Sequence, residues 1–311
     1  MKNKTVGIGG SGVMGSSMAQ IFAKYGYDVI LFDVSGDAIE KSRKLIGLNQ
    51  QALVEEKELT LDRSEALKNR ITFCCDMKSL SAAGFVIEAI VEKMPEKHAF
   101  FRELSEILST DAVIVSNTSG LPLNEIAKSV KNPGRFAGMH WINPPHIIPL
   151  VEVIRTETTT DETVKAVFDL ALAIGKKPVM VKTDAPGFIF NRIQFAVLRE
   201  AMHIVESGIA DIEDVDNVLK SGMGMRYSVL GPFEIADFGG LDTFFHISRY
   251  LFSDLSDAKE PQSGLEELYN KGDFGVKTGK GFYDYSGGKD EEAILRRDAR
   301  LFKLSKFFEV F

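Results

Sequence analysis

The stretch Thr5-Val6-Gly7-Ile8-Gly9-Gly10-Ser11-Gly12-Val13-Met14-Gly15 carries the reading of the fold. Its first half, Thr5 to Gly9, is short and apolar and suits a buried strand. Its second half has the spacing G-x-G-x-x-G and opens a helix-patterned segment from about Met14 to Tyr25. Gly26 closes that segment, and Asp28–Phe32 (DVILF) reads as a second strand. A strand–loop–helix–strand unit demands a parallel pair and a right-handed crossover. Glycine-rich turns are common. The strand before this one and the helix after it are what make it a dinucleotide fingerprint. Gly10 permits the tight turn, Gly12 lets the backbone approach a pyrophosphate, and Gly15 lets helix and strand pack closely. Around Ser11, Val13 and Met14 the helix N-terminus offers N–H donors and its dipole to the phosphates.

Asp33 ends the second strand. A carboxylate there accepts hydrogen bonds from the adenine-ribose hydroxyls and repels a 2′-phosphate. Val34-Ser35-Gly36 follow without an arginine to hold that phosphate, so NAD is expected rather than NADP. The competing reading of Asp33 is a helix N-cap or turn residue. FAD is the rival dinucleotide, but the chain has no second obvious nucleotide-type segment.

Working outward, Ala38 to Lys68 is charged and helix-patterned with a break near Leu59-Thr60, which predicts two helices. Strands are expected at Ile71–Phe73, Phe85–Ala89 and Ala112–Ser116. Two more, Arg135–His140 and Leu150–Ile154, flank the proline-rich loop Asn143-Pro144-Pro145, and a helix at Asp161–Ile174 and a strand at Val179–Val181 finish this half. Alternating short buried strands and helices mean an α/β Rossmann-type, doubly wound sheet. Past Asp184-Ala185-Pro186-Gly187 the pattern turns almost wholly helical. The expected domains are therefore a NAD-binding domain over 1–184 and an all-α C-terminal domain over 185–311. The segment Phe188–Val205 is apolar around most of its circumference and should be buried on all sides. A small helical domain does not easily supply that cover, so a homodimer through it is expected. Asp290–Phe311 reads as an amphipathic surface helix.

With 311 residues two domains are the prior. The net charge of −7 argues against non-specific nucleic-acid binding, which needs a basic surface. No apolar run approaches the ~20 residues of a membrane span, so no membrane partner is expected. The start, Met1-Lys2-Asn3-Lys4, resembles neither a signal nor a transit peptide and leads into a strand, which points to a cytoplasmic protein. Cys74 and Cys75 are adjacent, poorly placed for a disulfide and too few for a structural zinc site, so no metal is expected.

Three blocks carry the chemistry: Ser116-Asn117-Thr118-Ser119, Gly138-Met139-His140-Trp141-Ile142-Asn143-Pro144 and Pro149-Leu150-Val151-Glu152-Val153-Ile154. Oxidising a secondary alcohol needs a base for the hydroxyl proton, and imidazole titrates nearest neutrality. His140 falls at a strand end, where ligands gather in open α/β sheets. If its strand lies beside that of Glu152, the carboxylate can fix the tautomer of the ring and stabilise imidazolium. Ser119 and Asn191 can hydrogen-bond the substrate oxygen. A lone histidine at a strand end is more often structural, and Asn191 has a helix-capping alternative. His146 is the rival base. His98, His203 and His246 lie in helical pattern and read as structural.

With Pro186-Gly187-Phe188, Asn191-Arg192, Gly231-Pro232-Phe233-Glu234 and Lys277-Thr278-Gly279-Lys280-Gly281-Phe282-Tyr283, these blocks resemble the 3-hydroxyacyl-CoA dehydrogenase family from Val6 to Tyr285. The resemblance implies NAD-dependent interconversion of a short-chain 3-hydroxyacyl-CoA (3-hydroxybutyryl-CoA) and its 3-keto product. It implies a catalytic set of His140, Glu152, Ser119 and Asn191, and a dimer. It also places Ala89, Glu92, Lys97, Asn117 and Lys277 at the cofactor beside Asp33. On chemistry alone, charged residues such as Glu92 and Lys97 on a helix are otherwise a solvated face.

The chain departs from the family's usual Phe-Phe-Asn-Pro-Val after the histidine, reading Trp141-Ile142-Asn143-Pro144-Pro145-His146. The double proline, with Gly224-Met225-Arg226-Tyr227, also resembles relatives that act on free hydroxy acids, of the L-gulonate 3-dehydrogenase and carnitine dehydrogenase types. Lys41, Arg43 and Lys44 are candidates to grip CoA phosphates. A non-catalytic, crystallin-like NAD-binding protein is the third reading, and the complete Ser119–His140–Glu152–Asn191 set argues against it.

Overall fold

The computed structural model describes residues 4–55 and 57–308, the side chain of Phe308 excepted. Expectations for Met1–Asn3 and Glu309–Phe311 lie outside the described residues. Eight strands form one sheet: β1 (Thr5–Gly9), β2 (Asp28–Phe32), β3 (Ile71–Cys74), β4 (Phe85–Glu88), β5 (Val113–Ser116), β6 (Phe136–Trp141), β7 (Leu150–Ile154) and β8 (Lys177–Val181). Their order is β3-β2-β1-β4-β5-β6-β7-β8, parallel throughout except for the β6–β7 pair. The order reverses between β1 and β4. That crevice at the carboxyl edge is where ligands bind in such sheets.

Strands β4 and β6 are buried along their full length, as parallel strands covered on both faces must be. Helices α1 (Val13–Lys24), α2 (Gly36–Glu55), α3 (Leu61–Lys68), α4 (Met94–Ile107), α5 (Leu123–Ala127) and α6 (Asp161–Ala173) connect them. One core layer sets Met18 and Phe22 of α1 with Val167 and Leu170 of α6 against the sheet. The other sets Phe100, Phe101 and Leu104 of α4 with Leu123 and Ile126 of α5. The short antiparallel return from β6 to β7 needs no crossover helix, and that is how His140 and Glu152 come to face each other.

Beyond the sheet the chain is helical: α7 (Phe190–Glu206), α8 (Ile212–Val218), a π-helical turn at Leu219–Met223, α9 (Gly224–Tyr227), α10 (Pro232–Gly239), α11 (Leu241–Leu251), α12 (Ser263–Lys271) and α13 (Lys289–Phe308). Two compact units divide at Asn191/Arg192, and the end of α13, from Arg300, groups with the first. The sequence reading put the change at 184/185 and all of the last helix in the second domain.

The expected helix over Phe188–Val205 needs correction. Phe188 has φ 51°, a left-handed backbone that cannot continue a helix, so α7 begins at Phe190. Nor is α7 buried on all sides within this chain. Among its residues only Met202 is buried, while Ile193 and Phe195 are more than half exposed. Among the described residues, no helix is long and apolar enough to cross a membrane.

Candidate active site

The glycine loop has the shape a dinucleotide needs. Gly10 has φ +102°, and a Cβ there would collide with the carbonyl of Ala89, while a Cβ at Gly15 would collide with the carbonyl of Gly10. Around Gly12, by contrast, a Cβ would meet nothing within 4 Å. Gly12 also caps α1 without a side-chain acceptor, so the first N–H groups of the helix, at Val13 and Met14, have no side-chain partner there. Open space in front of a bare helix N-terminus fits a pyrophosphate. Asp33 stands at the carboxyl end of β2. Its Oδ2 accepts from the N–H (2.8 Å) and hydroxyl (2.9 Å) of Ser11, and its Oδ1 from Ser35 N–H at 3.1 Å. These bonds tie the carboxylate to the glycine loop and leave one lone pair, on Oδ1, for a ribose hydroxyl. The residues present therefore fit a NAD adenosine half.

His140 and Glu152 are direct partners in the antiparallel register, so their side chains leave the same face. His140 Nδ1 stands 2.7 Å from Glu152 Oε2, with both residues buried. The other oxygen, Oε1, accepts the N–H groups of Ile189 (2.8 Å) and Phe190 (2.9 Å). Burial alone would push the Glu152 carboxyl up. The imidazole and the two backbone donors outweigh it and hold it below the usual carboxylate value. An ionised carboxylate only accepts, so Nδ1 carries the proton and Nε2 is the basic nitrogen. The ring of Phe188 packs on that of His140, with centroids 5.6 Å apart.

Asn191, in the first turn of α7, donates its amide to the carbonyl oxygen of Ser119 at 2.9 Å. Ser119 is exposed, and its N–H is held by Glu92 Oε1 at 3.0 Å. Ser119, His140, Glu152 and Asn191 are thus linked by short bonds through the backbone of the α7 start.

Lys97 is buried and paired rather than solvated, and Glu92, whose side chain is 43% exposed, reaches it from the surface. Lys97 is 1% exposed, and its ammonium lies 2.6 Å from Glu88 and 3.0 Å from Glu92. Glu88, fully buried, also accepts Ser116 Oγ at 2.6 Å and Ile90 N–H at 2.8 Å. Burial pushes the Glu88 carboxyl up, against the opposing pull of Lys97, Ser116 and Ile90. Burial also raises Glu92. The Thr118 hydroxyl, Lys97 and Ser119 N–H overcome that effect and lower it. The amide oxygen of Asn117 accepts Trp141 N–H at 2.9 Å and so ties the end of β5 to β6.

The sequence reading passed over Glu88 and the role of Phe188. An acidic residue inside the apolar run Phe85–Ala89 was the available signal for the first. Nothing in sequence marks the second. Lys277 is exposed in the second unit. Arg43, a candidate for CoA phosphates, is engaged locally: it pairs with Glu40 at 3.4 Å and lies 4.1 Å from the centroid of Phe73.

Known proteins resemble this chain in sequence and fold. The family model described as "3-hydroxyacyl-CoA dehydrogenase, NAD binding domain" matches residues 5–185, and the model for the C-terminal domain of that family matches 187–285. A 5-formyl-3-hydroxy-2-methylpyridine 4-carboxylate 5-dehydrogenase of Mesorhizobium japonicum is 34% identical over 98% of both chains. A crystal structure of a dehydrogenase of that name, described as an NAD+-dependent dismutase, superposes with a TM-score of 0.91 at 33% identity, covering 99% of each chain. A 3-hydroxybutyryl-CoA dehydrogenase of Bradyrhizobium diazoefficiens is 36% identical over 92% of this chain and 97% of its own. The crystal structure of a Ralstonia eutropha (S)-3-hydroxybutyryl-CoA dehydrogenase gives a TM-score of 0.77 at 33% identity, covering 92% of this chain and all of its own. The chain belongs to the 3-hydroxyacyl-CoA dehydrogenase family and is an NAD-dependent oxidoreductase acting on a CH–OH group.

Proposed function

We propose that this chain interconverts a short-chain 3-hydroxyacyl-CoA and its 3-ketoacyl-CoA, with His140 as the general base. The observation that carries the proposal is the 2.7 Å bond between His140 Nδ1 and a Glu152 carboxylate whose other oxygen is held by two backbone N–H groups. NAD, when bound, supplies the hydride acceptor. His140 Nε2 takes the hydroxyl proton as the carbonyl forms and returns it in the reverse direction. Glu152 fixes the ring and stabilises the imidazolium that results. The Ser119 hydroxyl and the Asn191 amide hold the substrate oxygen while charge shifts on it. Gly10 to Gly15, Asp33 and Ala89 form the cofactor cradle. Glu92, Lys97 and Asn117 hold the loop of Ser119 and the end of β6 beside it, and Lys277 completes the set that family likeness puts at the cofactor.

A second reading is a free hydroxy acid or related carboxylate as substrate. It is favoured by the pyridine-carboxylate dehydrogenase, which matches this chain nearly end to end, and by the engagement of Arg43 with Glu40 and Phe73. The two readings separate on NADH consumption with acetoacetyl-CoA beside free acetoacetate. The leading reading expects the thioester to be turned over at least ~10²-fold more efficiently. A preference for the free acid would replace it.

A homodimer through the helical domain accompanies this reading. Among the described residues of the second unit only Met202 and Ile235 are buried, and Phe233 and Phe238 of α10 are more than four-fifths exposed. Apolar exposure on that scale calls for a partner, and twofold pairing is the commonest source. A cytoplasmic setting is expected alongside, with Cys74 and Cys75 as free thiols.

A further inference from the structure

Lys176 directly precedes β8 and is 7% exposed. Its Nζ donates to the carbonyl oxygens of Pro145 and, at 2.9 Å, Ile148. The same Nζ stands 5.2 Å from the centroid of the Trp141 indole, itself 2% exposed. Pro145 and Ile148 lie on the loop that leaves β6 after Trp141 and returns as β7. One buried ammonium therefore grips the connection between the strand of His140 and the strand of Glu152.

We propose that Lys176 is a positioning residue whose ammonium clamps this loop, and that loss of its proton loosens the grip. Its effect on turnover rests on the assignment of His140 and Glu152 above, while the clamp itself does not. Among the described residues no carboxylate pairs with Lys176. Lys24 of α1 repels the charge. Glu152 of β7 is occupied by His140. Tyr25, whose hydroxyl stands beside Gly175, His146 on the gripped loop and the exposed Lys177 are further titratable neighbours. Burial, reinforced by Lys24, brings the Lys176 amine down to about 8. A neutral amine still donates, but it loses the charge-assisted strength of both bonds and the attraction to the indole face.

Trp141 is the sole tryptophan of the chain, so its fluorescence reports on the ammonium above it. In the cofactor-free protein the indole emission is expected to change through one transition centred near pH 8, the value of the Lys176 amine. Lys176→Arg keeps its charge and should stay flat there, and Lys176→Met should stay flat with a displaced emission. Turnover should fall about tenfold through the same transition in the parent protein and hold in Lys176→Arg, the weight of one hydrogen bond made by a charged group. Two results would overturn the clamp: parent emission that does not move near pH 8, or an identical transition in Lys176→Arg. A fluorescence transition with no matching change in turnover would refute the positioning role. A parent protein inactive on every substrate offered would count against the proposed reaction, with the fluorescence arm still deciding the clamp.

Discussion

Glu152 lies across the β6–β7 ladder from His140 and serves two structures at once. One carboxylate oxygen holds the imidazole and the other holds the N–H groups of Ile189 and Phe190, where the chain enters α7 and Asn191 follows. Orientation of the His140 ring and placement of the amide that bonds Ser119 thus share one anchor.

Glu152→Gln should therefore damage more than the base. With its amide NH2 facing the ring it holds the Nε2–H tautomer, which cannot take the substrate proton, and with its NH2 facing the start of α7 it leaves two backbone N–H groups without an acceptor. Turnover is expected to drop at least tenfold while NADH still binds, as measured by steady-state kinetics and fluorescence titration. Unchanged turnover would detach Glu152 from the site.

The same carboxylate sets an acid limit. Its folded value lies below its unfolded one, so its contribution to stability is complete above about pH 4.3 and is lost as pH falls through the folded value. Urea titrations of the parent protein and Glu152→Gln should converge as pH falls through the folded value. A stability difference that is flat with pH would contradict this.

Lys97 stands between two carboxylates, one of them fully buried. Lys97→Met leaves Glu88 without its counter-ion and should cost about 3–5 kcal/mol of stability by chemical denaturation. A loss under ~1 kcal/mol would mean that solvent reaches the pair.

Cofactor choice follows from Asp33. NADH should be strongly preferred over NADPH, and Asp33→Ser with an arginine introduced nearby should relax the preference. Equal catalytic efficiency with both cofactors in the parent protein would sink the assignment.

Much of this was legible from the chain because it depends on local pattern. Buried parallel strands read as apolar runs, the glycine loop has fixed spacing, and the β6–β7 return is short enough to place His140 opposite Glu152. What escaped depends on partners distant in sequence. Lys97 looks like a surface lysine until the strand carrying Glu88, itself held by Ser116 of the neighbouring strand, is packed against its helix. Phe188 looks like the first residue of an apolar helix. Its left-handed backbone is set by the turn from Ala185, whose carbonyl accepts the Phe188 N–H at 3.0 Å. The apolar circumference of α7 was visible, but among the described residues only Met202 of that helix is buried.

The cover of α7 is a measurable quantity. Light scattering at micromolar concentration should give about twice the chain mass of 34.4 kDa. A monomer mass would leave the exposed faces of α7 and α10 unexplained and refute the dimer.

The most direct test of the central claim is NADH oxidation by acetoacetyl-CoA, followed for the parent protein and for His140→Gln side by side. The parent protein should turn over, and the variant should lose about 10²–10⁴-fold in kcat, the usual contribution of a general acid–base. NADH affinity should be nearly unchanged, since the cofactor cradle lies at Gly10 to Gly15 and Asp33. If the variant stays within a few-fold of the parent protein, His140 is not the base.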